Sequence, residues 1–232
     1  MDYKVDIVMC IDVTGSMQPC IDTVRDNALK FWPDLQTALQ AAKKDVSQVR
    51  VKVIAFRDFA VDGFAALQQS DFFVLSDQGS DDAERYKEFL NGLVADGGGD
   101  YPENQLEVLG MAIQETDWVR TGDRQRHIIV MFTDADAHPL EKQVGKDNDL
   151  YPKNGPKSFQ ELTELWMPVG QMGPKSKLKQ AAKRLVLFAP DEDVWNKIMT
   201  NWNQTIGAVT EASVGLGDVQ YGDIINSIVG SV

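Results

Sequence analysis

The stretch that decides the fold is Asp6-Ile7-Val8-Met9-Cys10-Ile11-Asp12-Val13-Thr14-Gly15-Ser16-Met17. Ile7 to Ile11 is an uninterrupted apolar run, the pattern of a strand buried on both faces. It runs into Asp12-x-Thr14-x-Ser16 and then into a helical pattern. Ligands of open parallel sheets sit outside the carboxyl ends of strands. A carboxylate and two hydroxyls at such an end are hard oxygen donors, suited to Mg²⁺, Ca²⁺ or Mn²⁺. By themselves the same residue types are also ordinary helix caps, so the remainder of the chain has to decide between the two.

Further along, apolar runs and helical periods alternate. Gln18 to about Lys44 is helical in pattern through Ile21, Val24, Ala28, Phe31 and Leu35, with a kink or a break expected near Phe31–Trp32 because Pro33 lies inside it. Val49 to Asp58 reads as a second strand, and Phe72 to Leu75 as a short edge strand after a weakly patterned connection, Phe59 to Ser70. Ser80-Asp81-Asp82 opens a helix holding Tyr86, Phe89, Leu90 and Leu93. His127 to Phe132 is a second fully apolar strand and ends in Thr133-Asp134-Ala135-Asp136. A Pro- and Gly-rich crossover at about 138–175 carries a helical piece, Phe159 to Trp166. After it come an expected basic helix from Lys175 to Lys183, a strand from Arg184 to Pro190, and a helix capped by Asp191 that runs through Trp202. Ile206–Ser213 reads as a last strand and Tyr221–Val229 as a final helix. This alternation predicts one α/β domain over 1–232, doubly wound. Its central sheet is mostly parallel with one short antiparallel edge strand, and helices cover both faces.

Between the two apolar strands lies Gly97-Gly98-Gly99-Asp100-Tyr101-Pro102-Glu103-Asn104. Three glycines in a row cost backbone entropy, which is repaid where a tight turn brings backbone and Asp100 to a ligand. Pro102 marks the start of the next helix, with Leu106, Leu109, Ala112 and Ile113 in period. Three segments rich in oxygen donors thus converge if their strands are neighbours: Asp12/Thr14/Ser16, the loop with Asp100 and Glu103, and Asp134/Asp136.

Bulk composition narrows the partners. The 232 residues carry a net charge of −12, with 43% hydrophobic and 25% charged residues. Nucleic acid and anionic membranes demand a basic surface, so neither is expected. No apolar run approaches the roughly 20 residues of a spanning helix. Met1-Asp2-Tyr3-Lys4 leads into the first strand without a cleavage-site pattern. Cys10 and Cys20 read as core or near-core residues and are too few for a disulfide framework. The expected location is the cytoplasm. Trp166, Trp195 and Trp202, at helical spacing, read as core first and as partner surface second.

With these residues in view, the chain resembles a von Willebrand factor type A domain with a metal-ion-dependent adhesion site, of a bacterial stand-alone type. The family's first loop is Asp-x-Ser-x-Ser, and here Thr14 keeps the first hydroxyl. The second loop is similar to an Asp-x-Pro-Glu variant, in which Asp100 or Glu103 stands where the family usually presents a threonine. The third loop's aspartate is matched by Asp134. The resemblance implies metal ligands Asp12, Thr14, Ser16, Asp100, Glu103 and Asp134, a divalent cation (Mg²⁺ foremost, Ca²⁺ or Mn²⁺ as alternatives), and no catalysis. It also implies a protein partner whose Asp or Glu completes the metal shell, in a cytosolic stress or regulatory complex. Asp136 is expected behind the ligands or in solvent, His138 at the rim or solvated, and Thr133 to position the third loop. The competing reading is a Mg²⁺-dependent phosphotransferase or phosphatase of haloacid-dehalogenase type with Asp12 as nucleophile. That chemistry also requires a lysine at a later strand end. No phosphate-binding Gly-x-x-x-x-Gly-Lys loop is present.

Overall fold

The computed structural model describes residues 2–75, 81–98, 102–141, 149, 151–169, 176–210 and 216–232. Seven strands form one sheet: β1 (Tyr3–Asp12), β2 (Gln48–Phe56), β3 (Leu67–Gln69), β4 (Phe73–Leu75), β5 (Arg124–Phe132), β6 (Lys183–Pro190) and β7 (Thr205–Thr210). Their order is β3-β2-β1-β5-β6-β7, with β4 also paired to β2. β1, β2, β5, β6 and β7 run parallel to one another. The antiparallel edge is filled twice: β3 pairs with Ile54–Phe56 and β4 with Val49–Val51. β4 is the edge strand expected from the sequence. β3 is an addition, since three residues are too few for alternation to show.

Strand parity divides the core into two layers. Odd-numbered residues of β1 (Val5, Ile7, Met9, Ile11) pack against α1 (Gln18–Asp26), α2 (Phe31–Ala41), α3 (Asp82–Asn91) and α7 (Tyr221–Ser231). Val8 and Cys10 face the other way, toward α4 (Gln105–Glu115), α5 (Phe159–Trp166) and α6 (Asp193–Asn201). The fold is therefore α/β with helices on both faces of a mostly parallel sheet. A strand buried on both faces has no polar side to show, which is why Ile7–Ile11 and Ile128–Phe132 are solidly apolar.

Two local readings change. The first helical stretch is two helices separated at residues 27–30, and Pro33 occupies the third position of α2, where the missing N–H costs no intrahelical bond. The basic helix expected from Lys175 to Lys183 is not there: residues 176–182 form bends and turns, and Lys183 already belongs to β6. Lysine propensity loses to burial at that point, because Leu178, Ala182 and Lys183 all turn inward. Lys183 Nζ donates to the Trp166 carbonyl and to Gln180 Oε1. Trp166, Trp195 and Trp202 are core residues. Trp166 and Trp202 stack with ring centroids 5.6 Å apart, so none of the three offers a partner surface. The described part of the 138–175 crossover packs on the α4 side through Leu140, Leu162 and Leu165.

Candidate metal centre

β1 sits in the middle of the sheet, with β2 on one side and β5 on the other. The chain leaves β1 toward β2 and later returns to β5, so the strand order reverses between β1 and β5. The crevice beyond their carboxyl ends is where an open α/β sheet binds its ligand. Asp12 is the last residue of β1, and Thr133 and Asp134 follow the last residue of β5.

Asp12 is 0% exposed. Its Oδ1 accepts the Thr14 N–H at 3.0 Å and the Thr14 hydroxyl at 2.7 Å. Its Oδ2 accepts the Thr133 hydroxyl at 2.9 Å. Thr133 Oγ1 in turn accepts from Gln105 Nε2 at 2.8 Å and from the Ala135 N–H at 3.2 Å. Thr133 thus fixes its own loop and orients the carboxylate beside it. Ser16 Oγ donates to Asp134 Oδ1 at 3.1 Å, tying the first loop to the third. Burial pushes the Asp12 carboxyl up to about 6; the hydrogen bonds from Thr14 and Thr133 oppose this, and the charge of Asp134 adds to it. Among the described residues no lysine or arginine is ion-paired with Asp12.

The second loop reaches the same place by way of its glycines. Gly97 and Gly98 both have positive φ, +71° and +82°. A Cβ on Gly98 would stand 3.0 Å from Glu103 Oε1 and 3.0 Å from Thr14 Cγ2, so Glu103 and Thr14 flank one glycine. Glu103 is 3% exposed. Its backbone bridges to the third loop: Glu103 N–H donates to the Asp136 carbonyl at 3.2 Å and His138 N–H to the Glu103 carbonyl at 2.9 Å. Asp100 lies outside the described residues, so of the two carboxylates in this loop only Glu103 is placed. Asp12 and Thr14 form one hydrogen-bonded pair and Ser16 and Asp134 a second, at the ends of the neighbouring strands β1 and β5, and Glu103 lies beside Thr14 across Gly98.

Asp136 is turned back on its own loop, accepting the Ala137 N–H at 2.9 Å. Burial raises its carboxyl pKa, against the Ala137 N–H, with Glu192 and Asp193 adding to the rise. His138 Nε2 lies 3.4 Å from Asp58 Oδ2 and does not belong to the oxygen set. Sequence reading missed three supports. Arg57 donates to the carbonyls of Val13 (3.2 Å) and Val94 (2.7 Å), clamping the first loop to the second. Asp62 accepts the Gly98 N–H at 3.1 Å, and Asn104 Oδ1 accepts the Phe59 N–H at 2.7 Å. The signal for Arg57 was available, since β2 runs apolar into Arg57-Asp58 as β1 runs into Asp12.

The donors are all oxygen: the carboxylates of Asp12 and Asp134, the hydroxyls of Thr14 and Ser16, and the carboxylate of Glu103 alongside. That composition fits a hard divalent cation. No group of three or more His, Cys, Asp or Glu side chains suited to a metal occurs among the described residues. A cation here would therefore depend on the hydroxyls as much as on the acids. The lysines of the 175–183 stretch do not supply a lysine at this strand end among the described residues. Lys177, Lys179 and Lys183 lie before or at the start of β6, at the opposite end of the strands. Cys10 and Cys20 are buried free thiols pushed up to about 12 by burial, which leaves neither as a thiolate ligand at neutral pH.

No family model matches the chain, and no curated protein matches it. Among solved structures it is similar to the pilus adhesin SpaC of Lactobacillus rhamnosus GG. In the open conformation the TM-score is 0.54 at 13% identity, over 98% of this chain and 30% of the adhesin. A second form of the same adhesin gives 0.50 at 15% identity, over 98% of this chain and 31% of that one. Proximal thread matrix protein 1 from the mussel byssus gives 0.52 at 13% identity, over 99% of this chain and 48% of that one. At these identities the likeness is one of fold alone, and the chain spans from about a third to half of each neighbour's length.

Proposed function

We propose that the chain is a metal-dependent protein-binding module of the von Willebrand factor type A kind, and not an enzyme. Asp12, Thr14, Ser16 and Asp134 would hold a divalent cation, with Glu103 or Asp100 contributing from the second loop. A Mg²⁺ ion in that set would supply an electrophilic open position for an Asp or Glu of a partner protein. The observation that supports this is Asp12. It is a fully buried carboxylate at the strand-order reversal, met by neutral donors and by the negative charge of Asp134. Burying a carboxylate without a countercharge is costly, and a cation removes the cost.

The hydroxyls do two jobs in this reading. Without a cation, Thr14 and Ser16 donate their protons to Asp12 and Asp134 and keep the loops assembled. With one, their lone pairs are neutral donors that leave much of the ion's charge for the partner. Thr133, held by Gln105, keeps Asp12 in place in either case.

The test is a thermal unfolding series on chelator-treated protein. Mg²⁺, Mn²⁺ or Ca²⁺ at about a hundred times its dissociation constant should stabilise the chain by about 2.7 kcal/mol. Asp12→Ala should abolish the shift, and partner capture should disappear when chelator replaces Mg²⁺. Absence of a shift with all three ions would sink the reading.

A further inference from the structure

The other end of the sheet holds a second concentration of charge, of opposite sign. Arg124 and Arg126 begin β5, and Arg184 is the second residue of β6. The register pairs Tyr3 with Arg124, Val5 with Arg126 and Ile128 with Arg184. Tyr3, Val5 and Ile128 all belong to the α7 side of the core, so the three arginines share that face. Lys44, just beyond α2, reaches the same end, and its Nζ donates to the Val229 carbonyl of α7 at 2.5 Å. The Arg124 guanidinium lies 4.5 Å from the centroid of the Tyr3 ring, whose hydroxyl donates to the Val232 carbonyl at 2.7 Å.

Four cations gathered in a chain of net charge −12 call for a countercharge. Among the described residues, none of the three arginines or Lys44 is ion-paired with a carboxylate. Asp2 and Asp123, beside the starts of β1 and β5, are engaged elsewhere. Asp2 accepts the Ser47 hydroxyl and pairs with Lys4, and Asp123 accepts the Asp2 N–H. The arginines' described side-chain hydrogen bonds are two to neighbouring carbonyls, Arg126 Nη1 to Gln125 and Arg184 Nη1 to Lys183. Arg126 Nε is buried without a hydrogen-bond partner. The cations also feel one another. Lys44 is depressed by burial and by all three arginines, and Arg184 by burial, Arg126 and Arg124.

We propose that Arg124, Arg126, Arg184 and Lys44 form a binding site for a small multivalent oxyanion of the phosphate type, separate from the metal centre and at the opposite end of the sheet. Guanidinium forks match phosphate oxygens in geometry and gain most where the charges are partly desolvated. The ligand is small because the acidic remainder of the surface repels an extended polyanion. The site is independent of the metal reading.

Inorganic pyrophosphate is the probe, titrated calorimetrically and in thermal unfolding into the full chain. Ionic strength is held constant, with chelator present so that the metal centre cannot contribute. Saturable binding and a raised unfolding midpoint are expected. The double substitution Arg126→Gln/Arg184→Gln should weaken binding by about tenfold or more, and Lys153→Gln, far from the cluster, should not. Arg124→Gln alters an exposed side chain and serves if the double variant does not fold; it should also weaken binding. No saturable binding, or an affinity unchanged in these variants, would overturn the site. Phosphatidylserine vesicles should fail to sediment the protein. Sedimentation lost in the same variants would overturn the restriction to small anions and assign the cluster to lipid headgroups.

Discussion

β1 carries two buried aspartates, and they are opposites. Asp6 is 1% exposed and fully compensated: Arg50 Nε and Nη2 reach its two oxygens at 2.8 and 2.7 Å, and the Val119 N–H adds a third bond at 2.6 Å. Asp12 is 0% exposed and has hydroxyls and one N–H in place of a cation. Six residues apart on one strand, the first is a bolt between β1, β2 and the segment before β5. The second is a charge that the fold leaves unbalanced. Burial alone does not mark a functional acid; what marks it is burial without a countercharge.

The same substitution at both positions should separate them, and this is the largest effect expected. Asp6→Asn removes a charge from a buried bidentate pair and leaves Arg50 facing an amide. Breaking such a pair costs about 3–5 kcal/mol. Asp12→Asn removes a charge that had no partner, so the chelated protein should be at least as stable as the parent. Urea unfolding of both variants in chelator reads the contrast. An Asp12→Asn variant as destabilised as Asp6→Asn would erase the distinction.

Acid should act on Asp12 next. Its folded-state value, about 6, lies above the ordinary 3.8. Between those two values the folded chain binds more protons than the unfolded one. Stability from this group is therefore gained as pH falls through about 6 and given back as pH rises, by at most about 3 kcal/mol. The parent-minus-Asp12→Asn difference in unfolding free energy, followed from pH 7 to pH 4.5 in chelator, isolates this group. A flat difference would mean that the carboxylate is compensated after all. With Mg²⁺ present the sign reverses, because protons compete with the cation for the same oxygens.

Much of this was legible in the residues. β1 and β5 announce themselves as apolar runs ending in Asp12 and Asp134, and the two-sided burial of a parallel sheet explains why. The first and third loops could be read because their oxygen donors lie within a few residues of a strand end. The supports were harder to read: Arg57 shows only as the polar end of β2's apolar run, and its partners and those of Asp62 and Gln105 lie 28 to 44 residues away in sequence, as carbonyls, an N–H and a hydroxyl. β3 was invisible at three residues. The turns at 176–182 defeated a helix reading because lysine content speaks for a helix, whereas the buried side of Leu178 and Lys183 is decided by packing.

The smallest effect tests whether the second loop shares the first loop's task. Gly98 has φ +82°, a region where a side chain costs about 1–2 kcal/mol in backbone energy alone. Its Cβ would also press on Glu103 Oε1 and Thr14 at 3.0 Å. Gly98→Ala should therefore lower stability by about that amount and displace one or both of these residues. The cation-induced rise in unfolding midpoint should then shrink without vanishing, because Asp12, Ser16 and Asp134 are untouched. Gly92 provides the control. It lies at the end of α3 with negative φ, and an added Cβ would meet only carbonyls at 3.4 Å or more. Gly92→Ala should leave the cation response intact. Equal losses of the cation response in the two alanine variants would show that Gly98 acts through general stability, and would remove the second loop from the metal centre.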